Sequence, residues 1–125
     1  MNDKKEIRVL VIDDEKVVRD FLGRFLKLND IESRIVGDGL EAIEAAKKED
    51  FDMVFLEIHM PKIDGPETIR ELKKIKPSLK FVLMTACYTD DIVQEAKEEG
   101  ISVCLKKPFV VEEIISEVNK VRFSE

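Results

Sequence analysis

Four short runs of this sequence are apolar on both faces of an extended chain, and no other feature constrains the fold as strongly. They span residues 9–12, 53–56, 81–84 and 103–105. A strand without a polar face is buried on both sides, which is typical of a parallel sheet covered by helices. The more mixed segment 32–36 fits a strand at the edge of that sheet. With the first strand taken as residues 7–12, the pattern predicts five strands.

Between these runs, apolar residues recur at the spacing of an amphipathic helix. Val18, Phe21, Leu22 and Phe25 lie at i, i+3, i+4 and i+7 and predict one apolar stripe. Shorter stripes follow in the later segments: Leu40, Ile43 and Ala46; Ile69 and Leu72; Ile92 and Ala96; and Val111, Ile114, Ile115 and Val118. Five strand–helix units joined by right-handed crossovers predict a doubly wound α/β fold, with a five-stranded parallel sheet and five helices.

Residues that favour helix ends support three of these boundaries. Pro66 suits the first position of the third helix. Thr89 can cap the start of the fourth helix, and Gly100 can end it.

Composition limits the classes of function. A chain of 125 residues, 44% apolar and 38% charged, predicts one globular domain over residues 1–125. The charged start and the short apolar runs predict a cytoplasmic protein without a membrane segment. A net charge of −6 argues against direct binding of nucleic acid. Cys87 and Cys104 form no CxxC pair, so we expect free thiols.

Polar side chains follow the carboxyl ends of the predicted strands, where doubly wound sheets bind their ligands. They are Asp13 and Asp14 after the first strand, Glu57 after the third, Thr85 after the fourth and Lys107 after the fifth. Two carboxylates about 4 Å apart repel by about 4 kcal/mol at an effective dielectric of about 20. The cluster therefore predicts a bound cation, and oxygen ligands favour Mg²⁺ or Mn²⁺. A lysine and a hydroxyl opposite that metal would neutralise phosphoryl oxygens.

Taken together, these motifs resemble the response-regulator receiver domain of two-component signalling, of the chemotaxis-regulator kind. The resemblance covers essentially the whole chain. It is carried by residues 9–15 (Val-Leu-Val-Ile-Asp-Asp-Glu), residues 56–61 (Leu-Glu-Ile-His-Met-Pro) with Asp64 and Gly65, residues 84–86 (Met-Thr-Ala) and residues 107–109 (Lys-Pro-Phe). It implies a flavodoxin-like sheet in the strand order 2-1-3-4-5 and a cis peptide bond between Lys107 and Pro108.

The resemblance also assigns roles to the residues at the strand ends. Asp14 would ligate Mg²⁺ directly, Asp13 largely through water, and His59 only through its backbone carbonyl. Glu57 stands in the phosphoacceptor position and would share the metal. Thr85 and Lys107 would contact the phosphoryl group; both positions are polar in this chain, as those roles require.

As a receiver, the protein would be a Mg²⁺-dependent phosphoacceptor switch of a phosphorelay. The implied partners are a histidine kinase or phosphotransfer protein and a downstream protein target. No enzymatic activity is expected beyond self-phosphotransfer from a kinase or a small phosphodonor.

Two positions depart from the family pattern. The acceptor position holds Glu57 instead of aspartate, and the position three residues before Lys107, usually Tyr or Phe, holds Cys104. A glutamate carboxylate lies about 1.5 Å further out, by one carbon–carbon bond, so we expect phosphotransfer to be slow or absent.

The alternative that stays open is a pseudo-receiver that binds partners constitutively without phosphate. Two further classes of protein fit the sequence less well. A Mg²⁺-dependent phosphohydrolase would need a second acid at the position of His59, and a flavin module would need a Ser/Thr/Gly-rich loop where residues 13–15 are acidic.

The resemblance places an output surface on the fourth helix, fifth strand and last helix, with Tyr88, Val93, Val103 and Val110 as candidates for exposure there.

Overall fold

In a computed structural model that describes residues 6–59, 63–86, 88–101, 103–108 and 110–123, five strands alternate with five helices. The strands are β1 (Arg8–Ile12), β2 (Glu32–Val36), β3 (Met53–Glu57), β4 (Lys80–Thr85) and β5 (Cys104–Lys106). The helices are α1 (Lys16–Leu28), α2 (Gly39–Lys48), α3 (Gly65–Ile75), α4 (Asp90–Glu98) and α5 (Val111–Arg122). All paired strands are parallel, in the order β2-β1-β3-β4-β5. The predicted fold and strand order are confirmed.

The sheet buries both of its faces, as the apolar runs require. Alternate residues of a strand point to opposite faces. Leu10 and Val54 therefore join one apolar cluster with the inner sides of α2, α3 and α4, whereas Val9 and Phe55 join a second cluster with α1 and α5. Every residue of β3 is buried. Two helical layers thus enclose the central strands.

In α1 and α2 the predicted stripes do pack on the core, through the partly buried Val18 and Phe25 of α1 and Ile43 and Ala46 of α2, but the most deeply buried positions differ. The deepest residues of α1 are Leu22 and Leu26, while Phe21 is half-exposed. In α2 the deeply buried residues are glycine and alanine, and Leu40 is half-exposed. A small side chain lets the helix backbone approach its neighbours closely, so the contact face of α2 follows residue size more than hydrophobicity.

Side chains cap the starts of three helices, and the predicted cap, Thr89, is one of them. The side chains of Asp38, Asp64 and Thr89 accept hydrogen bonds from backbone N–H groups in the first turns of α2, α3 and α4. Pro66 lies in the first turn of α3, and Gly100 follows α4 with a φ of 79°. No helix within the described ranges is long and apolar enough to cross a membrane.

The contact between α2 and α3 depends on Gly39. A Cβ at this position would lie 2.8 Å from Ile63 Cγ2 and would also collide with Thr68 Oγ1. Thr68 cannot easily move away, because its hydroxyl donates a hydrogen bond to the Asp64 carbonyl at 2.8 Å. This contact sets the spacing of the helices beside β1 and β3.

We therefore expect Gly39→Ala to destabilise the protein by about 1–3 kcal/mol through overpacking. Gly23→Ala is the matched control, since its Cβ would make an ordinary contact at 3.7 Å with Ile35 Cγ1. Within α1 that alanine should stabilise by about 0.5–1 kcal/mol, because alanine is the better helix former. Urea unfolding measures both, and equal midpoints for the two variants would contradict the packing argument.

Candidate acidic site at the carboxyl ends of the strands

Lys107 is held at the carboxyl edge of the sheet by its backbone. Its N–H donates to the carbonyl of Thr85, the last residue of β4, at 2.8 Å. The following Lys107–Pro108 bond is cis, as the resemblance implied. The lysine side chain is only 10% exposed, so its ammonium lies inside the edge and not in solvent.

The ammonium of Lys107 binds carboxylates from two strands. Its Nζ lies 2.6 Å from Asp13 Oδ2 and 3.0 Å from Glu57 Oε1. The Asp13 side chain is fully buried, and that of Glu57 nearly so. A third carboxylate, that of the exposed Glu15, lies 3.5 Å away. Buried charges are stable only when they are paired and hydrogen-bonded, and Lys107 supplies that pairing for both acids.

The remaining oxygen of each buried acid accepts a backbone hydrogen bond. Asp13 Oδ1 accepts from the N–H of Glu15 at 2.9 Å. Glu57 Oε2 accepts from the N–H of His59 at a longer 3.4 Å. Each of the four carboxylate oxygens therefore has a donor, and the Glu57 contact to His59 is the weakest of these bonds.

The charges of the site alter two pKa values. Burial lowers the pKa of the Lys107 ammonium, but the hydrogen bonds and charges of Asp13 and Glu57 outweigh it and raise that pKa above 10.5. Burial, followed by the charge of Glu57, raises the pKa of the Cys104 thiol above 9.0. The Cys104 thiol is free and partly buried, and it lies close enough to Glu57 to sense its charge.

The structure brings together only some of the residues that the sequence nominated. Asp13, Glu57 and Lys107 are in contact, and Thr85 is buried beside them through its backbone bond to Lys107. Asp14 and His59 are exposed. Within the described ranges, no three His, Cys, Asp or Glu side chains are grouped so as to hold a metal ion. Cys87 and part of the β3–α3 motif, residues 60–62, lie outside those ranges, as does Phe109.

Sequence reasoning missed Arg19, whose Nη1 donates to the backbone carbonyl of Asp13 at 2.9 Å. A signal for it exists. Side chains on a helix lean toward its N-terminus, so an arginine in the first turn of α1 points back at the β1–α1 connection.

Of the candidates for the output surface, Tyr88 and Val110 are exposed, whereas Val93 and Val103 are only partly so. Val17, in the first turn of α1, is the most exposed apolar residue beside the acidic site, at 79%.

The fold and this edge define a class of protein. A sequence model of the response regulator receiver domain matches residues 9–119, and the chain belongs to that family. It is thus a receiver domain of two-component signalling.

Two curated proteins illustrate the range of relatives. Sporulation initiation phosphotransferase F of Bacillus subtilis (strain 168) is 32% identical over 120 residues, which cover 96% of this chain and 94% of that protein. Response regulator MprA of Mycobacterium leprae (strain TN) is 31% identical over 114 residues, which cover 90% of this chain and 49% of that protein. The chain therefore spans about half the length of the second relative.

Solved structures show the same likeness. Response regulator protein TrrA from Thermotoga maritima, in complex with Mg(2+)-BeF, matches with a TM-score of 0.80 at 30% identity, covering 92% of this chain and 98% of that one. The co-crystal structure of the Saccharomyces cerevisiae histidine phosphotransfer signaling protein Ypd1 with the receiver domain of Ssk1 contains a chain that matches with a TM-score of 0.84. At 21% identity, with 96% and 91% of the two chains covered, that likeness concerns the fold alone.

We expect Lys107→Met to destabilise the protein by about 3 kcal/mol or more, because it leaves two buried carboxylates without their cation. Lys106→Met is the matched control, since Lys106 is the neighbouring residue and is exposed. Its loss should change stability by about 0.5 kcal/mol or less. Equal destabilisation by both substitutions, measured by urea unfolding at neutral pH, would contradict the pairing.

Lys107 should also make stability depend on pH in the alkaline range. Its folded pKa is raised above the ordinary value of 10.5. Its contribution is therefore complete below about pH 10.5 and is lost as the pH rises through the folded pKa. Unfolding measured from pH 8 to 11.5 should show a steeper loss in the unmodified protein than in Lys107→Met, and parallel curves would contradict this.

Proposed function

We propose that the chain is a receiver switch of a phosphorelay in which Glu57, in the acceptor position, holds Lys107 without phosphate. The observation that carries the proposal is the 3.0 Å contact between Glu57 Oε1 and the Lys107 ammonium. Lysine at this position would contact a phosphoryl oxygen in a receiver, and here a carboxylate oxygen already occupies one side of it. The protein would accept phosphate weakly and would be biased toward its activated arrangement in the absence of phosphate.

The donor chemistry of the edge fits Mg²⁺ or Mn²⁺. Asp13 and Glu57 are buried carboxylates, and Asp14 adds an exposed one at the next position. Magnesium keeps several waters and needs only one or two protein carboxylates. Asp14 would be its direct ligand, and Asp13 would act largely through water. This arrangement would leave the contact between Lys107 and Glu57 in place. Glu57 and the His59 carbonyl would complete the set, and the metal would supply charge neutralisation for an incoming phosphoryl group.

The length of Glu57 explains why transfer would be slow. Phosphoryl transfer depends on positioning more than on covalent help from the protein, and a misplacement of about 1 Å can lower a rate roughly 100-fold. The side chain is nearly fully buried and is bonded at both carboxylate oxygens. It therefore has little freedom to withdraw to the position of a shorter acid.

We expect Glu57→Asp to increase labelling by acetyl phosphate or a cognate kinase roughly 100-fold, because the shorter acid restores the in-line position. The labelling should require Mg²⁺. Intact mass or phosphate-affinity electrophoresis measures it. Glu57→Gln is the matched control: it keeps the length, removes the charge and should not be labelled.

Three outcomes would change this account. Equally rapid labelling of the unmodified protein would contradict the positional argument, as would acid-stable labelling at a residue other than Glu57. If Glu57→Asp also fails to accept phosphate, a constitutive interaction module becomes the better description. That second candidate is favoured by one observation: the Lys107 ammonium is paired with two buried carboxylates.

We propose that a histidine kinase or phosphotransfer protein docks on the apolar residues that surround this edge. Val17, Tyr88 and Val110 are exposed, and each lies two or three residues after a residue of the site. A partner histidine must approach Glu57 closely, so the partner's surface around that histidine must cover these side chains. The co-crystal of Ypd1 with the Ssk1 receiver supports this class of partner.

We expect Val17→Glu to weaken binding of a cognate phosphotransfer protein at least tenfold, because it adds a charge to the apolar surface that the partner covers. Leu28→Glu is the matched control, since Leu28 is equally exposed but lies at the other end of α1, about 16 Å away. Calorimetric titration compares the two. A larger loss for Leu28→Glu would place the docking surface elsewhere.

A further inference from the structure

Arg19 connects α1 to the acidic turn through the backbone and not through a carboxylate. It lies in the first turn of α1 and is partly buried. Its Nη1 donates to the carbonyl oxygen of Asp13 at 2.9 Å. A charged donor makes this a stronger bond than one between neutral groups. The guanidinium therefore acts on the peptide plane between Asp13 and Asp14.

The backbone of Asp13 is held from two sides. Its N–H donates to the carbonyl of Val36, the last residue of β2, at 3.2 Å. Its carbonyl accepts from Arg19. With both peptide groups fixed, the direction of the Asp13 side chain is fixed as well. That side chain is fully buried, with one oxygen on Lys107 and the other on the N–H of Glu15.

The place of the Arg19 guanidinium depends on a glycine that follows β2. A Cβ at Gly37 would lie 3.3 Å from Arg19 Nη1 and 3.6 Å from its Cζ. The first distance is closer than ordinary carbon–nitrogen contact. Any side chain at position 37 would therefore shift the guanidinium by a few tenths of an ångström away from its present position.

We propose that Arg19 is a positioning residue for the acidic site: it fixes the Asp13–Asp14 peptide so that both carboxylates stay aimed at their ligands. It would act through this peptide and not by contact with metal or phosphate. The consequence for metal binding rests on the proposed function, whereas the ordering of the turn does not.

An electrostatic role and a positioning role for Arg19 predict opposite changes in the affinity for a divalent cation. If the guanidinium acted only through its charge, removing it would strengthen the binding of a divalent cation, since one positive charge would leave the neighbourhood. If it positions the carboxylates, removing it weakens that binding, as loss of an outer partner of metal ligands does by about 10- to 100-fold. The sign of the change separates the two.

The first experiment measures amide hydrogen exchange in the unmodified protein and in Arg19→Met. The amides of Asp13 and Glu15 should exchange about tenfold faster in the variant, which corresponds to the loss of one charge-assisted hydrogen bond. The amide of Ile58 donates to the carbonyl of Met84 in the neighbouring strand β4. Its exchange rate should not change. Arg24→Met is the matched control, because Arg24 is an exposed arginine on the same helix.

Two milder variants guard against general unfolding. Gly37→Ala keeps Arg19 but displaces its guanidinium, so it should accelerate the same two amides by a smaller factor. Arg19→Lys keeps the charge and should recover part of the protection. Equal exchange at Asp13 and Glu15 in Arg19→Met and Arg24→Met would overturn the proposal, as would acceleration spread evenly over all the strands.

The second experiment titrates Mn²⁺ by calorimetry into the same proteins. Arg19→Met should bind about tenfold more weakly than the unmodified protein, whereas Arg24→Met should bind equally or more tightly. Tighter binding in Arg19→Met would overturn the positioning role. If the unmodified protein binds no Mn²⁺, the metal part of the proposed function fails, and the exchange measurements still decide the role of Arg19.

Discussion

The ammonium of Lys107 lies between two carboxylates that are withdrawn from solvent, and the rest of the acidic edge is arranged around that pairing. Asp13 and Glu57 come from adjacent strands, so their charges would repel across the edge if no cation stood between them. Burial strengthens both the repulsion and the attraction to Lys107. The backbone bond from Lys107 to Thr85 fixes where that cation stands.

The fold supplies this arrangement because parallel strands bring their carboxyl ends to one edge. The central strands are buried on both faces, so polar residues at their ends are the first groups to emerge from the apolar core. Close contact of α2 with α3 at Gly39, and of Arg19 with Gly37, brings the surrounding segments against that edge. Small residues are needed at these points because the adjoining groups are themselves held by hydrogen bonds.

Glu57 and Cys104 give this receiver its particular character. Glu57 accepts a hydrogen bond from Lys107, and under the proposed function Glu57 holds the acceptor position and Lys107 would hold a phosphoryl oxygen. The Cys104 thiol, at the position where the resemblance implies an aromatic ring, lies within the electrostatic influence of Glu57. Under the proposed function, a domain with these two residues would signal with little change on phosphorylation, because Lys107 would be bound before phosphate arrives and no aromatic ring would respond to it.

The sequence by itself determined the fold class, the strand order by resemblance, and the strand-end positions of the acids and Lys107. Apolar runs and helix caps are local features, so they can be found without coordinates. The sequence did not determine which residues of α2 pack most deeply, because Leu40 is apolar but half-exposed, while the smaller Gly39, Ala42 and Ala45 are buried. Nor did it separate the buried Asp13 from the exposed Asp14, or indicate Arg19. Those distinctions depend on distances between segments far apart in the chain, which only the packed tertiary structure decides.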